Sequence, residues 1–332
     1  MSFVGSGMKI LGLLAVLLLL AGCSGSASGG GRPAAASAVP GKGAPSTPAP
    51  STPAPSPPAP TGPYVALGDS YTSGLQLEPA GTGPKGCGRS TVNYPSLVAQ
   101  DLRLTQGEFT DVSCSSATTA DLTAAQRVDG GANPPQLDAL NGQTRLVTVG
   151  IGGNDAEFMK VVERCAEQGV LKAVALAKGE APCKDSYTAP DGSSTLSGVL
   201  DTVGVRLAGV LQEVARRAPQ ARVYVVGYPA LLPTDPAGCL PVLGRTVAAA
   251  DLVFLAEQEQ RLNAVLSSRA REAKAGFVDT YTPSAGHDMC ADRTTRWIEP
   301  PFPAPGRAPL HPNAAGQQGM AQAVLRAVHA GQ

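Results

Sequence analysis

The feature that most restricts this chain is a set of short apolar segments, each stopped by a glycine and separated by long stretches with helical spacing. Tyr64-Val65-Ala66-Leu67-Gly68, Arg145-Leu146-Val147-Thr148-Val149-Gly150 and Arg222-Val223-Tyr224-Val225-Val226-Gly227 are of strand length and almost wholly apolar or β-branched. Such segments read as strands buried on both faces. Phe109 to Ser113 and Phe277-Val278-Asp279 are weaker strand candidates. Helices are expected over Tyr94–Leu104, Phe158–Ala177, Leu196–Arg217, Ala249–Ala273 and Pro312–Val328. In the fourth of these, Leu252, Leu255, Leu262, Val265 and Leu266 share a face, while Glu257, Glu259 and Arg261 fall mostly outside it. Strands alternating with helices imply an α/β domain, a parallel sheet of about five strands covered on both sides in three αβα layers. In sheets of this kind functional groups gather beyond the carboxyl ends of the strands.

Before Tyr64 the chain is of another kind. Met8-Lys9 precedes an apolar run from Ile10 to Leu20, too short to cross ~30 Å of hydrocarbon and of the length of a secretory h-region. Met1–Gly7 carries no positive charge, so Met1 and Met8 both stand as possible starts. Leu20-Ala21-Gly22-Cys23 has the form of a bacterial lipobox. Residues 1–22 are therefore expected to be a lipoprotein signal peptide, with Cys23 lipidated. Acyl chains on Cys23 would hold the protein to the outer face of the bacterial cell membrane without a transmembrane helix. Residues 23–62 are rich in Pro, Ala, Ser and Thr, and eleven of the thirty prolines fall between Pro33 and Pro63. That composition cannot offset the entropy of ordering a core, and dense proline favours a semi-rigid extended stalk. The folded domain is expected over residues 63–332.

Lys and Arg together number 26, as do Asp and Glu. Without a basic surplus, nucleic acid is not an expected partner. Beyond Cys23 the cysteines are Cys87, Cys114, Cys165, Cys183, Cys239 and Cys290. An even number in an exported chain suggests three disulfides, with fifteen possible connectivities. No C-x-x-C spacing occurs and the histidines are His287, His311 and His329 alone, so no metal site and no cofactor is expected.

Chemistry collects at the ends of the strong strands. The first ends Gly68-Asp69-Ser70-Tyr71-Thr72-Ser73-Gly74, and the next strong strand ends Gly150-Ile151-Gly152-Gly153-Asn154-Asp155. A serine hydroxyl becomes a nucleophile when a neighbouring base takes its proton, and Ser70 would project at the sheet edge. Histidine is the side chain suited to that role near neutral pH. His329 stands at the solvated end of the chain, and His287 beside Cys290 is framed by no strand edge or helix start. His311, in His311-Pro312-Asn313, precedes a helix and can reach the sheet edge from a loop. Acyl transfer also needs donors for a developing oxyanion, for which the Asn154 amide and the Ser70 backbone N–H are candidates. Asp69 and Asp155 read as turn and cap residues rather than acids. Gly150-x-Gly152-Gly153 lacks the third glycine of a dinucleotide loop. No Gly-x-Ser-x-Gly elbow is present, which counts against the α/β-hydrolase fold.

In order and spacing these blocks resemble the SGNH, or GDSL-type, esterases and lipases, over roughly Tyr64 to the C-terminus. The resemblance implies a flavodoxin-like sheet and ester hydrolysis with Ser70 as nucleophile, His311 as base and Asn154 in the oxyanion hole. The family's third oxyanion donor is a glycine N–H, which aligns here with Cys114-Ser115-Ser116-Ala117-Thr118-Thr119, where Ser116 or Ser115 would stand in for it. The family's usual aspartate three residues before the histidine is replaced by Ala308, and no carboxylate lies between Glu299 and His311. A Ser–His dyad is the expectation, with a main-chain carbonyl near Ala308 accepting the imidazole Nδ1–H. The cysteines and Arg296-Trp297 resemble secreted bacterial lipases whose disulfides join consecutive cysteines. That implies Cys87–Cys114, Cys165–Cys183 and Cys239–Cys290. Two functions are in contention: an extracytoplasmic, monomeric serine esterase or lipase acting on lipid or simple acyl esters, and a non-catalytic envelope-binding lipoprotein that kept the fold. Simple esters, glycerides, phospholipids and acetylated wall polymers all stand as substrates.

Overall fold

A computed structural model describes residues 62–243 and 246–330. The expected signal peptide, Cys23 and the stalk lie outside the described residues. In chain order the strands are β1 (Tyr64–Gly68), β2 (Phe109–Asp111), β3 (Gln126–Val128), β4 (Gly131–Asn133), β5 (Leu146–Gly150), β6 (Arg222–Val226) and β7 (Gly276–Val278). The α-helices are α1 (Ser70–Ser73), α2 (Tyr94–Asp101), α3 (Phe158–Ala173), α4 (Pro182–Ser186), α5 (Thr195–Arg217), α6 (Leu240–Leu243), α7 (Ala249–Glu272) and α8 (Ala314–Ala330). All five expected strands join one parallel sheet in the order β2-β1-β5-β6-β7. Counting those five in sequence gives 2-1-3-4-5, the flavodoxin-like order. The antiparallel ribbon β3–β4 was not among the expected elements.

The sheet is buried on both faces because successive side chains point to opposite sides. Val65, Leu67, Val147 and Val149 pack into one core with Val203, Leu207 and Leu211 of α5 and Leu262 and Leu266 of α7. Tyr64, Ala66, Leu146 and Val226 pack into the other with Tyr94 and Val98 of α2 and Met320, Val324 and Val328 of α8. A third cluster, beyond the strand ends, joins Val161 and Cys165 of α3 to Leu252 and Leu255 of α7, together with Leu231, Leu232, Met289 and Leu310.

Disulfides hold the parts that lack sheet support. Cys87 is bonded to Cys114, Cys165 to Cys183 and Cys239 to Cys290, closing loops of 27, 18 and 51 residues. Removing a native bridge of this kind costs about 2–5 kcal/mol. Three helices end earlier than expected, each two residues before a left-handed backbone position, Arg103 (φ 54°) after α2, Ala175 (φ 60°) after α3 and Lys274 (φ 57°) after α7. The last helix starts at Ala314 rather than Pro312. Pro312 is spent in a bridge with Ile298, and the Asn313 side chain accepts from Gly316 N at 3.0 Å.

Gly68 of β1 and Gly150 of β5 are register partners, so the segments that follow them emerge side by side. Chain connections leave this pair in opposite directions, which opens a crevice at the carboxyl edge.

Candidate active site

Ser70 opens α1 directly after β1, and Asp69 caps that turn by accepting from Tyr71 N at 2.9 Å. The serine is 7% exposed at the floor of a cavity of about 240 Å³. Its Oγ lies 2.8 Å from His311 Nε2, across 241 residues of sequence. His311 Nδ1 is 2.7 Å from the carbonyl of Pro309. A carbonyl can only accept, so the proton sits on Nδ1 and the Nε2 lone pair faces the serine hydroxyl. Burial holds the imidazole pKa below its ordinary value, against the raising effect of the Pro309 bond. The ring is thus neutral and ready to take a proton at pH 7.

The orienting carbonyl is one residue along from the one expected. Ala308 O is engaged by His311 N at 3.4 Å in the turn, and Leu310 adopts a left-handed φ of 60°. That twist brings Pro309 O, not Ala308 O, to the imidazole. The loop is held from outside: Leu310 N donates to Glu299 O at 3.1 Å, Glu299 N to His311 O at 3.0 Å and Asn313 N to Trp297 O at 2.7 Å. Trp297 in turn lies on α8 where Gly316 and Gly319 leave room, since a Cβ at either glycine would collide with it.

Asn154, after β5, lines the same cavity. One amide hydrogen goes to Ala117 O at 2.8 Å, which leaves the second for the cavity. Ser115 and Ser116 also line it. Ser115 donates its N–H to Cys87 O at 3.0 Å, whereas Ser116 has the glycine-like φ of 62°, so the residue with the spare N–H is Ser116. Asp155 faces away from the chemistry, accepting from Thr119 N at 2.9 Å and Oγ1 at 2.5 Å and pairing with Arg206 at 3.3 Å. His287 stacks on Trp297 with ring centroids 4.6 Å apart, and no member of the cavity lining is contributed by it.

Three residues at the site were not among the expected functional residues. Tyr228 donates to Asp69 Oδ2 at 2.5 Å and accepts from Gly153 N at 2.8 Å, joining the two motif blocks. Burial raises Asp69 from 3.8 to about 6, opposed by the bonds from Tyr228 and Tyr71. Glu259 was expected mostly outside the apolar face of its helix, yet is 4% exposed and lines the cavity. It accepts Leu231 N on both oxygens, at 2.9 and 3.1 Å, and burial pushes its pKa well up. α7 packs against α5 on one side and the site on the other, so its polar flank is buried too. Tyr71 packs between Tyr228 and His311, with centroids 5.1 and 5.0 Å away. Among the described residues no group of three or more His, Cys, Asp or Glu is placed to hold a metal ion.

An apolar groove of about 560 Å³ adjoins this cavity. Met159 lines both, Val162, Leu232, Leu255 and Leu310 wall the groove, and Phe302 stands 88% exposed on its rim.

The model of the GDSL-like lipase/acylhydrolase family matches residues 66–318. Lipase 2 of Streptomyces coelicolor is 40% identical over 262 residues, 78% of this chain and 83% of its own. A lipase of Streptomyces rimosus is 32% identical over 76% of this chain and 82% of its own. The crystal structure of phospholipase A1 from Streptomyces albidoflavus covers 80% of this chain and 99% of its own, with a TM-score of 0.63 and 29% identity.

Proposed function

This chain belongs to the GDSL-like lipase/acylhydrolase family and is a carboxylic ester hydrolase, and from that premise we propose that it cleaves lipid esters outside the cell through a Ser70–His311 dyad. The observation that carries the dyad is the 2.8 Å contact between Ser70 Oγ and the unprotonated Nε2 of His311. In the proposed reaction Nε2 takes the hydroxyl proton as Oγ attacks the ester carbonyl carbon. The tetrahedral oxyanion is met by the N–H groups of Ser70 and Ser116 and the free amide hydrogen of Asn154. On collapse the imidazolium returns its proton to the leaving alcohol, giving an acyl-serine. Water repeats the sequence, losing a proton to Nε2 and releasing the fatty acid and free Ser70. Through both halves Pro309 O accepts the Nδ1–H of the imidazolium, a weaker partner than a carboxylate.

The apolar groove supports a long acyl chain as the substrate's distinguishing part. Each methylene moved from water into such a groove is worth about 0.8 kcal/mol, roughly a fourfold gain in kcat/KM at best. The test is a series of p-nitrophenyl esters from acetyl to decanoyl. Rising kcat/KM with chain length supports the reading, and a maximum at acetyl contradicts it. The phospholipase and lipase names of the relatives agree with lipid as substrate. Family membership leaves the non-catalytic lipoprotein reading without support.

Location outside the membrane, with Cys23 as the lipid anchor, completes the proposal. Three disulfides suit an oxidising compartment, and the lipobox lies 40 residues before Pro63. A monomer suffices for the mechanism, since every group invoked comes from one chain.

A further inference from the structure

The His311 loop poses a problem of placement. In a serine-protease triad a buried carboxylate from a distant part of the chain holds the imidazole against the nucleophile, whereas the usual acid of this family stands three residues before the histidine, on the histidine's own loop. Here Nδ1 is held by Pro309 O, two residues away on the same loop. That bond fixes the ring relative to its loop and does nothing to fix the loop relative to Ser70. Leu310, between the two, holds a left-handed backbone that a leucine keeps only when its surroundings impose it.

One side chain spans the gap. Tyr71 Oη donates to Leu310 O at 2.6 Å. Apart from Ser70–His311 itself, it is the hydrogen bond among the described residues that ties the serine turn directly to residues 309–311. The tyrosine is itself well anchored. Its N–H is bonded to Asp69, its carbonyl accepts from the fully buried Gln317 of α8 at 2.9 Å, and its ring meets Tyr228 edge-on at 79°. Its ring also covers the His311 imidazole at 5.0 Å. Because Tyr71 follows Ser70 directly, the nucleophile and the anchor of the base sit on adjacent residues of one turn.

We propose that Tyr71 is the positioning residue of the dyad, its hydroxyl setting the Ser70–His311 distance through Leu310 O and its ring shielding the imidazole from water. This rests on the dyad reading above, in which His311 is the base. Hydroxyl and ring make separable contributions. Without the hydroxyl the loop drifts, and misplacement on the order of 1 Å costs up to about 100-fold in rate. Without the ring the imidazole regains water, and its pKa climbs toward the ordinary value. Other titratable groups near the ring are Asp69 and Ser70 on the same turn, Glu259 across the cavity, and Glu299, which pairs with Arg296 at 3.2 Å beside the loop. Tyr228 meets the ring edge-on, and Tyr71→Phe keeps the ring and with it the burial of all these groups, so a limb that moves in Tyr71→Ala but not in Tyr71→Phe follows the loss of the ring.

The test compares the full chain with its Tyr71→Phe, Tyr71→Ala and Ser70→Ala variants on p-nitrophenyl butyrate, reading kcat, KM, Tm and the pH–rate profile. Tyr71→Phe is expected to lower kcat about 10- to 100-fold, with KM and the acid limb unchanged and Tm nearly so. Tyr71→Ala is expected to lose at least as much kcat and to move its acid limb to higher pH. A merely structural tyrosine would lower Tm and leave kcat of the folded enzyme and the acid limb in place, and that result overturns the proposal. So does a Tyr71→Phe kcat within about twofold of wild type. If Ser70→Ala itself keeps its activity, the dyad reading fails and this inference with it. Loss in Ser70→Ala with none in Tyr71→Phe refutes the positioning role alone.

Discussion

Asp69 offers a sharp quantitative test, because its isosteric neutral replacement isolates one buried charge. The carboxylate is 1% exposed beneath the nucleophile turn, accepts from Tyr71 N and from Tyr228 Oη, and burial raises its pKa from 3.8 to about 6. An acid whose pKa is higher folded than unfolded binds more protons in the native state between those two values. Stability therefore falls as pH rises through that window and stays lowered above it. Between pH 4 and pH 7.5 a rise from 3.8 to about 6 withdraws about 2–3 kcal/mol from the wild-type protein. Asp69→Asn does not titrate there. It keeps an acceptor for Tyr71 N but leaves the Tyr228 hydroxyl proton without one, a loss of about 1 kcal/mol that is the same at both pH values. Buried Asp111 and Glu259, whose pKa values burial also raises, cancel in the comparison. Urea unfolding of the two proteins at both pH values should show the variant gaining about 2–3 kcal/mol relative to wild type on going from pH 4 to pH 7.5. A difference between them that stays constant with pH within about 0.5 kcal/mol would mean that Asp69 carries no buried charge, and the reasoning would be wrong.

Two further outcomes follow from single residues. Ser116→Gly should keep the backbone N–H, and with it the hydrolytic rate. It should also raise stability by about 0.5–1 kcal/mol, because a left-handed φ of 62° strains serine more than glycine's extra chain entropy costs. A less stable variant in urea would show that the serine side chain holds the turn. Cys23→Ser should move the protein from the membrane fraction to the soluble fraction of the producing cells, and unchanged partition would remove Cys23 as the anchor.

The sheet was legible because β1, β5 and β6 are buried on both faces and so are almost wholly apolar, a pattern that short segments of other kinds rarely show. Glu259 was misread because helical periodicity describes a helix with one buried side, whereas α7 is covered on two. The expected carbonyl fell one residue short because the left-handed twist at Leu310 leaves no mark in a Leu-His sequence, in contrast to the glycine that often announces such a φ. The choice between Ser115 and Ser116 turned on a backbone bond to Cys87 O, a long-range contact invisible to spacing. Tyr71 and Tyr228 could have been suspected only from their place, one beside the nucleophile and one just after β6. The groove draws on α3, α6, α7 and the loop at 301–310, segments whose association requires the whole fold.

The central claim is that Ser70, activated by His311, is the atom-level seat of ester hydrolysis. A fluorophosphonate forms a covalent bond with an activated serine and releases fluoride, so intact-mass and peptide mass spectrometry read the site directly. One adduct per chain is expected, on the peptide bearing Ser70, with activity lost in proportion. Labelling should slow by orders of magnitude in His311→Ala, and the acid limb of the wild-type labelling rate should fall below the ordinary imidazole pKa of about 6.5. Loss of activity with the adduct on any other residue, or full labelling of His311→Ala at the wild-type rate, would contradict the claim.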